Sequence, residues 1–114
     1  MRMFLKASWQ IEGGNAAIKT GTLPTTIDSI LADLKPEASY FIAENGTRTA
    51  HVYFDLKDPS QIPAVAEPWF LAFNAKVEMT PAMQIEDLKK AGPDIERAVN
   101  KYGRILPETV GATR

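Results

Sequence analysis

The sequence predicts an α+β domain with a split βαβ arrangement and a four-stranded antiparallel sheet, followed by C-terminal helices. Two observations predict it. Strand and helix patterns follow one another in the order strand, helix, strand, strand, helix, strand, and the pair Asn45-Gly46 joins the middle strands by a tight turn. Crossover connections of this kind are right-handed, so both crossover helices are expected on one side of the sheet. The other face is expected to stay open.

The first strand and the first helix are predicted from two different periodicities. Residues 2–11 alternate between apolar and mixed positions, which predicts a strand. The Gly-Gly-Asn sequence at 13–15 is expected to break this strand, with Asn15 capping a short turn. Apolar residues then recur at helical spacing between two prolines, which predicts a helix over about residues 23–35.

The middle of the chain predicts a β-hairpin. Residues 38–44 and 47–56 are rich in aromatic and β-branched side chains, which favour strands. Asn45-Gly46 lies between them, and an Asn-Gly pair readily supplies the two residues with positive φ that a type I′ turn requires.

A second crossover helix is predicted after the hairpin. Asp58 is the expected N-cap, Pro59 occupies the first helical position and Gln61 completes a capping box. Apolar side chains continue at helical spacing as far as Phe73. Pro68 is expected to kink or break this helix because proline has no amide hydrogen to donate.

The remaining residues predict one strand and two helices. Residues 74–80 alternate as a fourth strand, and helical patterns follow over 85–91 and over 95–102. We expect residues 1–103 to form a single domain and residues 104–114 to form a loose tail with little to bury.

Charge, cysteine content and hydropathy exclude several classes of function. Thirteen basic and fourteen acidic side chains leave a net charge of −1, which is not the electrostatic pattern of a nucleic-acid or membrane-surface protein. The chain has no cysteine and no glycine-rich phosphate loop, so we expect no thiolate metal site and no nucleotide cofactor. No signal pattern or long apolar stretch is present, which predicts a cytoplasmic protein.

The open face of the sheet is expected to be neither fully apolar nor fully polar. The side chains predicted to point away from the helices are Phe4, Lys6, Ser8, Thr49, His51, Tyr53, Lys76 and Glu78. The second strand leaves two alternatives, since either Tyr40 and Ile42 or Phe41 and Ala43 could lie on this face. A face of this composition favours a partly wet cavity between two subunits.

The stretch from Ala66 to Pro81, leading to Asp87-Leu88, resembles small bacterial proteins of the dimeric α+β barrel superfamily. The similarity spans about residues 2–102. The resemblance implies a ferredoxin-like fold and a homodimer whose sheets pair face to face into a barrel. Muconolactone isomerases and cofactor-independent monooxygenases are among the relatives of this superfamily. It implies no particular reaction, because no catalytic motif of these relatives matches residue by residue.

Six side chains are candidates for ligand binding: His51, Tyr53, Lys6, Tyr40, Trp69 and Glu78. Histidine is the one residue type that exchanges protons near neutral pH without a perturbed environment, and His51 is the only histidine. It could fill a dimer interface, or contact a ligand and move a proton. A metal ion is the third alternative. One histidine with Glu44, Asp55 or Glu78 would supply unusually few ligands for zinc or iron, so no metal is predicted.

The other candidates also have two interpretations each. Lys6 and Glu78 could form an ion pair at the mouth of the barrel, or Lys6 could anchor the carboxylate of a substrate. Four aromatic side chains could line a pocket or belong to the core: Trp9, Tyr40, Trp69 and Phe73.

Two classes of function remain from these observations. The first is a dimeric protein that binds a small organic molecule in a cavity between the sheet face and the helices near Trp69, with His51 and Tyr53 among its polar groups. The second is a non-enzymatic dimeric interaction module whose barrel is filled by side chains. The first is favoured, and whether the protein is an enzyme is left open.

Overall fold

The computed structural model of this protein describes residues 1–103, so the predicted tail over 104–114 lies outside the described residues. In chain order the elements are β1 (Arg2–Ser8), α1 (Ile11–Thr20), α2 (Thr22–Leu34), β2 (Ala38–Glu44), β3 (Thr47–Asp55), a 3₁₀ turn (Pro59–Gln61), α3 (Ile62–Phe73), β4 (Lys76–Pro81), α4 (Ile85–Lys90) and α5 (Gly92–Tyr102). Residues Met1–Ala82 form one compact unit, and a second unit begins at Met83. The prediction of a single domain over 1–103 stays a prediction.

The four strands form one antiparallel sheet in the order β2-β3-β1-β4. The connection from β1 to β2 runs through α1 and α2 and passes over β3, and the connection from β3 to β4 runs through α3 and passes over β1. The predicted α+β class and the four-stranded antiparallel sheet are therefore confirmed.

The first crossover differs from the prediction, because it contains two helices. The strand predicted over 2–11 ends at Ser8, and the expected turn at 13–15 lies inside α1. Glycine has a low helix propensity, but Gly14 is buried, and a Cβ built on it would lie 2.6 Å from Arg48 Nη1 and 3.1 Å from the Trp9 ring. The absence of a side chain at Gly14 lets α1 approach β3 and Trp9 closely, so tertiary packing outweighs propensity.

The core lies between one face of the sheet and the helices. Alternate residues of β1 and β3 are buried there, as predicted, and they include Leu5 and Val52. The Trp9 ring stacks on Phe73 with ring centres 5.1 Å apart, and Trp69 lies beside both rings in the core. These three aromatic side chains are therefore core residues.

Two local predictions are confirmed at the ends of β3. Asn45 and Gly46 have φ of 52° and 77°, as a type I′ turn requires. Asp58 accepts a hydrogen bond of 2.9 Å from the amide of Ser60, and Gln61 completes the capping box. The hydroxyl group of Ser60 also donates to Asp58, and this bond, followed by the amide bond, holds the pKa of Asp58 below its ordinary value. Pro68 does not break α3, which runs continuously from Ile62 to Phe73.

In the unit that begins at Met83, α4 leads directly into α5, and Pro93 lies in the first turn of α5. Ile95, Ala98, Val99 and Tyr102 are spaced along one side of α5, as the sequence predicts. Among the described residues, no helix combines the length and the apolar composition needed to cross a membrane.

Candidate functional site

The register of the sheet brings four predicted site residues into one row. Tyr40 of β2 lies opposite His51 of β3, His51 lies opposite Lys6 of β1, and Lys6 lies opposite Glu78 of β4. Residues that are directly opposite in a sheet point to the same side. The row lies on the face that no helix of residues 1–82 covers, which is called the open face below.

The same register settles the orientation of β2. Tyr40 and Ile42 lie on the open face, opposite His51 and Thr49, whereas Phe41 and Ala43 point to the other side. Glu44 has the same parity as Tyr40, so its side chain also belongs to the open face. The sequence left both alternatives for β2, and the pairing with β3 decides between them.

Four side chains form an ion-pair network on the open face, called the Glu44 network below: Lys6, Glu44, His51 and Glu78. The Glu44 carboxylate contacts His51 Nε2 and Lys6 Nζ, each at 2.9 Å, and Lys6 Nζ also lies 3.3 Å from Glu78 Oε2. The side chains of His51, Glu44 and Lys6 are 24%, 27% and 32% exposed. The network is therefore half-buried, and its side chains have less freedom to move than those of a fully exposed ion pair.

Lys6 and Glu44 stabilise each other's charged form. The hydrogen bond from Lys6, followed by that from His51, lowers the pKa of Glu44 below its ordinary value of 4.5. Hydrogen bonds to Glu44 and Glu78 raise the pKa of Lys6 above its ordinary value of 10.5. Glu44 is therefore a carboxylate and Lys6 an ammonium group at neutral pH.

The bond to Glu44 fixes the orientation of the His51 ring. A carboxylate only accepts hydrogen bonds, so Nε2 of His51 must be the donor. In the neutral ring, Nδ1 is then an acceptor, and the ring is held with this nitrogen available. Such an arrangement can accept a hydrogen bond or a proton from a neighbouring group.

Aromatic side chains flank the network on the open face. The Phe4 ring stacks on Tyr53 and meets His51 edge to face, each with ring centres 5.1 Å apart. Thr49 lies between Thr47 and His51 on this face, where the Glu44 side chain extends along β3 to reach His51. Thr49 is only 1% exposed. The network and the aromatic rings therefore form one continuous polar and aromatic surface.

Five of the six predicted ligand-binding residues share this surface, and the sixth does not. Tyr53, Lys6, Tyr40 and Glu78 lie with His51 on the open face. Trp69 is fully buried in the core on the other side of the sheet, so within one chain it cannot line a pocket together with His51. The reason is that α3 presents Trp69 to the covered face. Ligand binding by these residues stays a prediction.

Lys6 forms the predicted ion pair with Glu78, and Glu44 is a second partner. Sequence reasoning missed this role of Glu44, which it considered only as a metal ligand. The turn at Asn45-Gly46 would have revealed it, because a two-residue turn makes Glu44 face Thr47 and hence places Glu44 on the same side as His51.

Neither of two cavities that flank α2 is formed by the predicted residues. A cavity of about 470 Å³ lies between α2 and α3, and another of about 300 Å³ lies between α2 and the β2–β3 hairpin. None of the six predicted side chains lines either cavity. Within residues 1–103, no group of three His, Asp or Glu side chains could hold a metal ion.

In comparisons with known proteins, no family model, curated protein or solved structure matches this chain. The interpretation of the open face therefore rests on its geometry and chemistry.

Proposed function

We propose that this chain has a ferredoxin-like fold, forms a homodimer through the open face, and binds a small organic molecule between the two faces. The half-buried pair of Glu44 and His51, on a sheet face that no helix of residues 1–82 covers, is the observation that carries this proposal. A few oriented polar groups beside aromatic rings are typical of small-molecule sites.

The connectivity supports the ferredoxin-like part of the proposal. Each crossover returns to the sheet beyond a strand that runs in the opposite direction, which is the split βαβ arrangement repeated twice. The same connectivity places the helices of both crossovers against one face, and the core lies on that side alone.

The composition of the open face supports the homodimer. Phe4 and Tyr53 form a stacked aromatic pair there, and Tyr40 and Ile42 on the neighbouring edge strand are exposed. A sheet face of this kind is unfavourable in water, and a second copy of the same face would bury it around a two-fold axis. The polar network would then lie inside a closed space.

The charges of the network indicate what kind of molecule would fit. Lys6 already has two carboxylate partners, so it offers little to an additional anion. In the neutral ring, Nδ1 of His51 is an acceptor and can bind a donor, whereas the rings of Phe4 and Tyr53 favour an apolar or aromatic body. The ligand class is therefore a neutral molecule with a hydroxyl group on an aromatic or apolar body.

Nuclear magnetic resonance tests this proposal through the single histidine of the chain. The imidazole signals of His51 are followed while substituted phenols, and separately the matching benzoates, are titrated into the protein. We expect phenols to shift these signals at concentrations where benzoates do not. If the hydroxyl group of the phenol also bonds to Tyr53, the Tyr53→Phe variant should bind that phenol about tenfold more weakly than the original chain does. The reason is that an unsatisfied polar group costs ~1–3 kcal/mol.

Ser29→Ala, which removes an exposed hydroxyl group from α2 on the covered side of the sheet, is the control and should leave phenol binding unchanged. If the protein is a dimer but no phenol moves the His51 signals, the ligand-binding proposal is wrong. The alternative, a non-enzymatic dimeric module, is then favoured, because the Glu44 network already satisfies its own charges.

A further inference from the structure

We propose that the 300 Å³ cavity between α2 and the β2–β3 hairpin binds a monocarboxylate with an apolar body. This cavity, called the Trp9–Arg48 pocket below, is separate from the open-face site. Its apolar wall consists of Leu23 and Ile27 from α2 with Phe41 and Ala43 from β2. Trp9 and Arg48 complete the lining at the β3 side.

The pocket has a buried donor without an acceptor. Trp9 is 5% exposed, and its indole N–H has no hydrogen-bond partner among the described residues. Buried polar groups nearly always have a partner, so an orphan donor at the wall of a cavity indicates a missing acceptor. Trp69 also lacks an acceptor, but it lines neither of the cavities beside α2.

A cation without a carboxylate partner lies next to this donor. Arg48 Nη2 donates a 3.0 Å hydrogen bond to the amide oxygen of Asn15, and within residues 1–103 no carboxylate lies at ion-pair distance from the guanidinium group. A half-buried, unpaired guanidinium group favours an anion, and a carboxylate suits its planar donors.

The backbone brings these two groups together. The amide of Trp9 donates to the carbonyl oxygen of Arg48 at 3.3 Å, so the ends of the two strands lie side by side. A Cβ built on Gly14 would lie 2.6 Å from Arg48 Nη1 and 3.2 Å from Trp9 Nε1. The guanidinium group and the indole N–H therefore converge beside a glycine that leaves room for both.

Octanoate is the probe for this pocket, and 1-octanol is the neutral control of equal chain length. The chain has two tryptophans, so its indole N–H signals can be assigned with Trp9→Phe. We expect octanoate to shift the Trp9 indole signal and to leave that of Trp69 in place. The neutral alcohol should bind at least about tenfold more weakly, because charge-assisted hydrogen bonds are roughly twice as strong as neutral ones.

Three variants and one control test the assignment of residues. Arg48→Gln should weaken octanoate binding by about tenfold, whereas Lys57→Gln, which removes an exposed cation at the opposite end of β3, should not. Gly14→Ala keeps the helical backbone and displaces the guanidinium group, so it should also weaken binding. Trp9→Phe keeps an aromatic ring and removes the N–H. Circular dichroism melts show whether each variant folds.

The proposal is wrong if octanoate and 1-octanol bind equally well, or if the folded variants Arg48→Gln and Gly14→Ala both keep the affinity of the original chain. A shift of the His51 signals without a shift of the Trp9 signal would place octanoate on the open face and would also overturn it. Failure of the phenol experiment leaves these outcomes unaffected, because the two sites have different reporter residues.

Discussion

Glu44 holds the open-face network together. Its two carboxylate oxygens bind different partners, His51 through Oε1 and Lys6 through Oε2. Without it, Lys6 would still contact Glu78, but His51 would lose the acceptor that orients its ring. The residue that decides the chemistry of His51 is therefore a carboxylate on the neighbouring edge strand.

The lowered pKa of Glu44 predicts how the stability of the protein depends on pH. A carboxyl group with a lower pKa in the folded state stabilises the fold above its unfolded pKa, and this contribution is lost as the pH falls through the folded pKa. Glu44→Gln should therefore melt at a lower temperature than the original chain at about pH 7. The difference should shrink as the pH drops below 4.5, the ordinary value for this group.

Thermal melts of both proteins between about pH 7 and about pH 3 measure this effect. Glu67→Gln on the exposed surface of α3 is the control, since Glu67 forms no ion pair with any residue of 1–103. A Glu44→Gln difference that stays constant over the whole pH range would show that the carboxylate charge does not stabilise the network.

At the scale of elements, the hairpin of β2 and β3 determines the composition of the open face. The two-residue turn at Asn45-Gly46 pairs Glu44 with Thr47 and, further along, Tyr40 with His51. A shift of one residue would move every side chain of β2 to the opposite face. The Glu44 network therefore depends on the conformation of this turn.

Gly46→Val should destabilise the protein by ~1–3 kcal/mol, because a β-branched residue is strained at positive φ. The φ of Gly46 is 77°, and no atom would obstruct a Cβ there, so backbone strain is the only cause of the loss. Gly13→Val in α1 is the matched control, since Gly13 has neither a positive φ nor an atom near an added Cβ. Denaturant unfolding measures both, and equal midpoints for the two variants would contradict the prediction.

At the scale of the whole molecule, the open face is the surface with the strongest reason to be covered. The helices of both crossovers lie against the other face, and the core of the 1–82 unit lies between them and the sheet. The open face has rings from Phe4, Tyr40 and Tyr53 beside a half-buried charge network. Two copies that join through this face would remove those rings from water.

Light scattering should give about twice the chain mass of 12.6 kDa at micromolar protein concentration. Tyr40→Arg places a bulky charge on the proposed interface and should shift the protein towards a monomer. Leu71→Arg adds the same charge at an exposed position of α3 and should leave the mass unchanged. A mass of one chain for the unmodified protein would refute the homodimer.

The sequence by itself determined most of the local structure. Alternation in β1 and β3, the positive φ of Asn45 and Gly46, and the capping box at Asp58 are all predicted correctly. Each depends on residues that are neighbours in the chain, whose preferences act before any packing. The order of the elements then left few possible sheets, and the observed α+β sheet is the expected one.

Only the tertiary structure decided the features that depend on distant residues. The glycines at 13 and 14 indicate a break, but α1 forms there because Gly14 packs against Trp9 and Arg48. The parity of β2 and the bonds of Glu44 follow from pairing between strands, and Trp69 is assigned to the core by the way α3 packs. Local patterns specify which element a residue joins, whereas a site needs contacts between elements, and those depend on packing and register.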